Sequence, residues 1–131
     1  MSEKTGLLFI GMLGATASTT IAGSRLVSGG FCSDTGLVSN TPPLRHLQLR
    51  GHENFEFGGW DISQGTLHDA IKRHDVFPQH LMRLIELHVP PLVPFQGISG
   101  TYDIPLRPED THRVSSVPAR EAYEKICSDI Q

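Results

Sequence analysis

The stretch from Gly6 to Ala22, GLLFIGMLGATASTTIA, constrains this chain more than any other. Leu7-Leu8-Phe9-Ile10 is continuously apolar, short and closed by Gly11, the pattern of a strand buried on both faces. A tight loop, Gly11 to Ala17, follows, and Ser18-Thr19-Thr20 supplies side chains that cap and open a helix. Strand, glycine turn and helix in that order form the opening unit of a dinucleotide-binding fold. The unpaired N–H groups and positive dipole end of such a helix suit a pyrophosphate, and glycines let the backbone approach it closely. Against the pattern G-x-G-x-x-G the three glycine positions read Gly11, Leu13 and Ala17, with an extra glycine at Gly14. Leu13 is the departure: a side chain stands where the pyrophosphate would press. The alternative reading is an ordinary strand-to-helix turn in an α/β domain.

With 131 residues the chain suffices for one small domain with a real core. A charged content of 19% beside 38% hydrophobic residues reads as globular, and a net charge of −3 implies no general affinity for nucleic acid. No signal peptide and no stretch long enough to span a bilayer is read, so a cytoplasmic protein is expected. Cys32 and Cys127 are far apart in sequence and form no C-x-x-C, which favours a reduced pair over a disulfide.

The first helix is expected over Ser18 to Val27, with Ile21, Ala22 and Leu26 facing the sheet and Gly29-Gly30 ending it as a left-handed cap. Gly23 is either a close approach of helix to strand or a plain weak spot. Phe31 to His52 reads mostly as loop, with a short strand at Leu37-Val38 stopped by Thr41-Pro42-Pro43. Asn54-Phe55-Glu56-Phe57 alternates polar and apolar and reads as a strand, which places Asp61 just beyond its carboxyl end. Ligands of open α/β sheets bind there, and an acid there accepts ribose hydroxyls. Asp34 lies nearer the usual spacing of about 20 residues from the glycine loop, but before its strand, so Asp61 is preferred. A turn or capping role for Asp61 stands as the alternative. Thr66 with Asp69 resembles a capping box, and Leu67, Ala70 and Ile71 follow at helical spacing. Pro78 opens another helix, with Leu81, Leu84, Ile85 and His88 on one face.

From Val89 to Pro108 the chain holds five of its nine prolines, Pro90, Pro91, Pro94, Pro105 and Pro108. Val93, Phe95, Ile98 and Ile104 are scattered among them, which reads as a surface connection with one short edge strand. Ser116 and Pro118 open a last helix whose Ala119, Ala122, Tyr123, Ile126 and Ile130 form an apolar stripe. The organisation expected is a nucleotide-binding core over 1–88, a proline-rich connection over 89–115 and a terminal amphipathic helix over 116–131 packed on the same domain.

Two stretches together resemble the myo-inositol-1-phosphate synthase family. Gly6 to Gly23 is similar to its glycine-rich turn running into Ser-Thr and then Ala-Gly, here Ser18-Thr19-Thr20-Ile21-Ala22-Gly23. Phe57-Gly58-Gly59-Trp60-Asp61-Ile62-Ser63 looks like the family's F-G-G-W-D-I-S segment and, being long and containing tryptophan, is the more specific match. The similarity covers about the first 85 residues. It implies an α/β fold, a small Rossmann-like open sheet, mainly parallel, with flanking helices, incomplete relative to the family. It implies NAD as cofactor, with Gly11, Leu13, Gly14, Ala15, Thr16 and Ser18 around the pyrophosphate. Asp61 and Ser63 would approach the adenosine ribose, with Ile62 against the ring face. The family converts glucose 6-phosphate to inositol phosphate by oxidation, ring closure and reduction on one NAD. Its synthases are several times longer, and their catalytic lysines lie in a later domain. The lysines here, Lys4, Lys72 and Lys125, match no such segment. The resemblance therefore implies a cofactor half, not catalytic alone, completed by a homo-oligomer or a separate catalytic chain. The competing reading is a non-enzymatic interaction or oligomerisation module that has lost its cofactor.

Other residues point to less. The histidines His46, His52, His68, His74, His80, His88 and His112 show no H-x-x-x-H pair on a helix face, so solvated or capping roles are expected rather than a metal site. Ser18 and Ser63 lack a G-x-S-x-G context. Tyr102 and Tyr123 have no lysine four residues on, which sets aside a short-chain oxidoreductase. Lys72-Arg73-His74 reads as a solvated helix face. Trp60 either stacks on an adenine or packs half-buried.

Overall fold

The computed structural model describes residues 3–99, 107–108, 110–115 and 117–131. Tyr102, Ile104, Pro105 and Ser116 lie outside the described residues. In chain order the elements are β1 (Thr5–Ile10), α1 (Ala15–Ser28), β2 (Phe55–Asp61), α2 (Leu67–His74), α3 (Gln79–His88), β3 (Phe95–Ser99), β4 (Arg113–Ser115) and α4 (Ala119–Ile130). The four strands form one open sheet in the order β1-β2-β3-β4, every pair parallel. This is the α/β, mainly parallel architecture that strand–helix alternation dictates, because parallel neighbours require a crossover between them.

Strand β1 pairs with β2 in a register running from Thr5 opposite Phe55 to Ile10 opposite Trp60. The carboxyl ends therefore coincide, and the turn after β1 emerges beside Asp61. The register demands close packing at Gly59, opposite Phe9, where an added Cβ would lie 2.7 Å from the Phe9 amide nitrogen. The core lies where α1, α2 and α3 meet the sheet: Met12, Ile21, Ala22, Leu26, Leu67, Ile71, Ile85 and Val89 form one buried cluster, with Phe9 and Phe57 packed against it. Each fully buried leucine or isoleucine there contributes about 1.5–3 kcal/mol.

Three expectations change. The apolar run of β1 is not buried on both faces. Among the described residues it pairs with β2 alone, and none of its residues is fully buried. Leu37-Val38 does not form a strand: Val38–Asn40 is a single 3-10 turn, closed by the Thr41 N–H to the Val38 carbonyl. The proline-containing region holds two strands, and β3 sits between β2 and β4 rather than at an edge. Its prolines precede and follow β3, so no ladder donor is lost within it.

The helix expectations hold with shifted ends. Helix α1 begins at Ala15, three residues earlier than expected, with Gly14 as its N-cap. At α2 both halves of the capping box form: Thr66 Oγ1 accepts from the Asp69 N–H, and the Asp69 carboxylate accepts from the Thr66 N–H. Helix α4 touches the sheet through Asp129, while Tyr123, Ile126 and Ile130 of its stripe are exposed. Gly23 is no close approach, because a Cβ there would meet nothing within 4 Å. It is a weak spot, so Gly23→Ala is expected to stabilise the fold by about 0.5–1 kcal/mol through a less costly helix backbone. A raised midpoint with unchanged slope in urea unfolding checks this; a lowered midpoint contradicts it.

Candidate functional site

The turn after β1 is fastened to the end of β2 by backbone. The N–H groups of Gly11 and Met12 both donate to the Trp60 carbonyl, at 2.8 and 3.1 Å. Gly11 then takes φ +83°, a conformation a side chain would strain, and its carbonyl accepts from the Gly14 N–H at 3.0 Å. Those bonds turn the chain so that α1 starts at once. The first bond of the helix is from the Ser18 N–H to the Gly14 carbonyl. The amides of Ala15, Thr16 and Ala17 therefore stand at the helix mouth, where helix geometry gives them no carbonyl four residues back. Gly11, Gly14, Ala15 and Thr16 are exposed there, and Ala17 is buried.

Leu13 and Asp61 hold this arrangement together. Leu13 is 1% exposed, its side chain turned inward. It does not stand over the ledge where a pyrophosphate would lie, as its place in the glycine pattern led one to expect. Its N–H donates to Asp61 Oδ2 at 2.6 Å, a short charge-assisted bond. The other oxygen, Oδ1, accepts from the Ser63 N–H at 2.8 Å. Asp61 is the last residue of β2 and only 7% exposed. So it serves first as the clamp between two loops, and each oxygen keeps one further lone pair for a ligand hydroxyl.

The carbonyl of Leu13 is gripped as well, by His74 Nε2 at 2.9 Å and by Arg73 Nη2 at 3.3 Å. These two residues were read as part of a solvated helix face. Their role has no sequence signal, because 60 and 61 residues separate them from Leu13. Other histidines also find specific partners: His52 Nδ1 meets Ser24 Oγ at 2.9 Å, and His68 Nε2 bonds the Val89 carbonyl at 2.7 Å.

The remaining candidates sit close by with their polar groups engaged. Ser18 is buried, and its hydroxyl donates to the Gly14 carbonyl at 2.8 Å. Ser63 is buried, and its hydroxyl donates to Asp110 Oδ1 at 3.1 Å. Arg107 reaches the same carboxylate at 3.1 Å, and its hydrogen bond is the main cause holding the Asp110 carboxyl below the usual range. Ile62 is half-buried, and its carbonyl accepts from the His112 N–H. Trp60 packs rather than offering a free ring: its indole N–H donates to Asp129 Oδ2 at 2.8 Å, and its ring lies tilted against Phe95 with centroids 5.8 Å apart.

The backbone of this ledge fits a dinucleotide pyrophosphate. A Cβ at Gly14 would sit 3.1 Å from the Gly11 carbonyl, so a side chain there would crowd the turn. The helix-start amides are exposed beside it, and the inward Leu13 leaves the approach clear. The hydroxyls of Ser18 and Ser63 are both donated inward, to the Gly14 carbonyl and to Asp110.

Known proteins resemble this chain in sequence and in fold. Residues 5–131 match a family model of an NAD-binding domain described as myo-inositol-1-phosphate synthase. A curated relative, inositol-3-phosphate synthase from Dictyostelium discoideum, is 25% identical over 155 residues, covering 98% of this chain and 30% of the relative. The crystal structure of inositol-3-phosphate synthase from Caenorhabditis elegans superposes with a TM-score of 0.74 at 23% identity, covering 98% of this chain and 31% of that one. That likeness carries the fold, and the chain spans about 30% of the length of the relatives it matches.

Proposed function

The chain belongs to the myo-inositol-1-phosphate synthase family, and we propose that it is the NAD-holding part of such an enzyme, acting on glucose 6-phosphate only together with further polypeptide. NAD lies with its pyrophosphate across Gly11, Gly14, Ala15 and Thr16, where helix amides and dipole neutralise it. Asp61 accepts a ribose hydroxyl with a lone pair left over from its clamp, and Ile62 lies against the adenine. When bound, NAD supplies a reversible hydride acceptor. The residues of this chain bind and orient it. The observation that supports this reading is the Leu13 N–H to Asp61 bond, which joins the two segments that carry the family resemblance into one ledge.

Chemistry from elsewhere is part of the reading. Ring closure requires a polarised carbonyl and a proton shuttle, and each lysine of this chain is engaged in an ion pair, Lys4 with Glu56, Lys72 with Glu86 and Lys125 with Asp129. The reading carries with it a cytoplasmic setting, and among the described residues no helix is long and apolar enough to cross a membrane.

Titration calorimetry with NAD tests the cofactor claim, with Thr16→Glu as the informative variant. An acid in the first turn favours the helix by about 0.3–1 kcal/mol, so the melting temperature holds or rises. The same charge repels the pyrophosphate, and affinity is expected to fall at least about tenfold, or about 1.4 kcal/mol. Saturable binding that Thr16→Glu weakens supports the reading. No heat at millimolar NAD, or equal affinity for both proteins, removes it. The second reading, an interaction module without cofactor, is favoured by the exposed stripe of Tyr123, Ile126 and Ile130. It takes over if NAD fails to bind.

A further inference from the structure

Three elements meet at the backbone of Leu13. Its N–H belongs to Asp61 at the end of β2, and its carbonyl to the last turn of α2, through His74 Nε2 at 2.9 Å and Arg73 Nη2 at 3.3 Å. A carbonyl only accepts, so His74 carries a proton on Nε2. The peptide unit joining Leu13 to Gly14 is held at its other end too, because the Gly14 N–H donates to the Gly11 carbonyl at 3.0 Å. This is the last peptide unit before the N-cap of α1, which Gly14 forms at φ −69° and ψ 157°. Its orientation therefore sets where the first amides of α1, those of Ala15, Thr16 and Ala17, are aimed.

The two donors come from a fixed support. Helix α2 starts at the Thr66–Asp69 capping box, and its Leu67 and Ile71 lie in the same buried cluster as Ile21, Ala22 and Leu26 of α1. The last turn of α2 thus holds the approach to α1 against a core that α1 itself shares. The charge of Arg73 adds a second effect. A bare carbonyl oxygen just before the helix mouth would oppose an anion there, and a guanidinium donating to that oxygen offsets it.

Given NAD on this ledge, as proposed above, we propose that Arg73 and His74 are positioning residues for its pyrophosphate, acting through the Leu13 carbonyl. They hold the turn that aims the helix amides, and neither has to touch the cofactor. The group they serve is the phosphate pair. A ligand with the same adenine and ribose but no phosphate does not depend on them.

Titrations of the whole chain with NAD and with adenosine, the first by calorimetry and the second by ligand-observed NMR, test this. Arg73→Leu is expected to weaken NAD about fivefold, and Arg73→Leu with His74→Leu about tenfold, less than the product because both donors serve one oxygen. Adenosine affinity stays within about twofold of wild type in every variant. His74→Gln, whose amide N–H can stand where Nε2–H does, retains the NAD affinity that His74→Leu loses. Arg73 is exposed, so Arg73→Leu keeps the wild-type melt and decides the matter even where His74→Leu folds poorly. Wild-type protein that binds no NAD overturns the cofactor reading and this proposal together. Wild-type protein that binds NAD, with Arg73→Leu binding it equally well, overturns this proposal alone. So does an equal loss of adenosine, which would make the pair a scaffold for the whole ledge, or a His74→Gln protein as weak as His74→Leu.

Discussion

Asp61→Ala lowers the melting temperature of the protein without any nucleotide present, by roughly 8–24 °C. The carboxylate takes two buried backbone donors, from Leu13 at 2.6 Å and from Ser63 at 2.8 Å. Removing it leaves both amides unpaired in a region water reaches poorly, at about 1–3 kcal/mol each, so a loss of about 2–6 kcal/mol is expected. A domain of this size loses roughly 4 °C for each kcal/mol. Asp61→Asn retains one acceptor but turns an amide group toward the other donor, so it falls between wild type and alanine. NAD affinity drops with Asp61→Ala as well, since the turn loses its anchor. A thermal melt by circular dichroism separates the two roles. An acid that served only a ribose would change affinity and leave the unliganded melt where it was. An unshifted melt for Asp61→Ala contradicts the clamp.

Gly59→Ala is expected to cost about 3 kcal/mol or more and to yield little folded protein. Gly59 lies opposite Phe9 in the β1–β2 ladder, at φ +154°. A Cβ would collide with the Phe9 carbonyl oxygen and come within 2.7 Å of its amide nitrogen. The obstacle is the Phe9 backbone itself, so no rotamer relieves it, and the strands must part. Parting them breaks the bonds from Gly11 and Met12 to the Trp60 carbonyl, and with them the ledge. Gly58→Ala is the control: its added Cβ meets only the Leu8 side chain, at 3.4 Å. Soluble expression and urea midpoints of the two variants check this. Equal midpoints would mean that the close approach at Gly59 is relieved at little cost.

The two alanine substitutions show why parts of this protein read clearly from sequence and others do not. Local signals survived because they depend on near neighbours. The glycine turn after Phe9-Ile10, the capping box from Thr66 to Asp69 and the helical spacing of Ala119 to Ile130 are each settled within a few residues, and each element formed. The tryptophan-aspartate segment pointed to the site because its residues match a family pattern. Leu13 was misread because the glycine pattern states which position is crowded but not which way the side chain turns. The prolines around Phe95–Ser99 hid a strand because they flank it rather than interrupt it.

Sequence by itself determined the alternation of strands and helices, the glycine turn and the identity of the family, since periodicity, turn chemistry and motif are written over short stretches. Only the tertiary structure decided that Asp61 clamps Leu13, that Arg73 and His74 hold the Leu13 carbonyl, and that apolar β1 pairs with β2 alone among the described residues. Those are contacts across 48 to 61 residues and choices of neighbour. A strand's composition reports how apolar its surroundings need to be, while which neighbours supply them is fixed by packing.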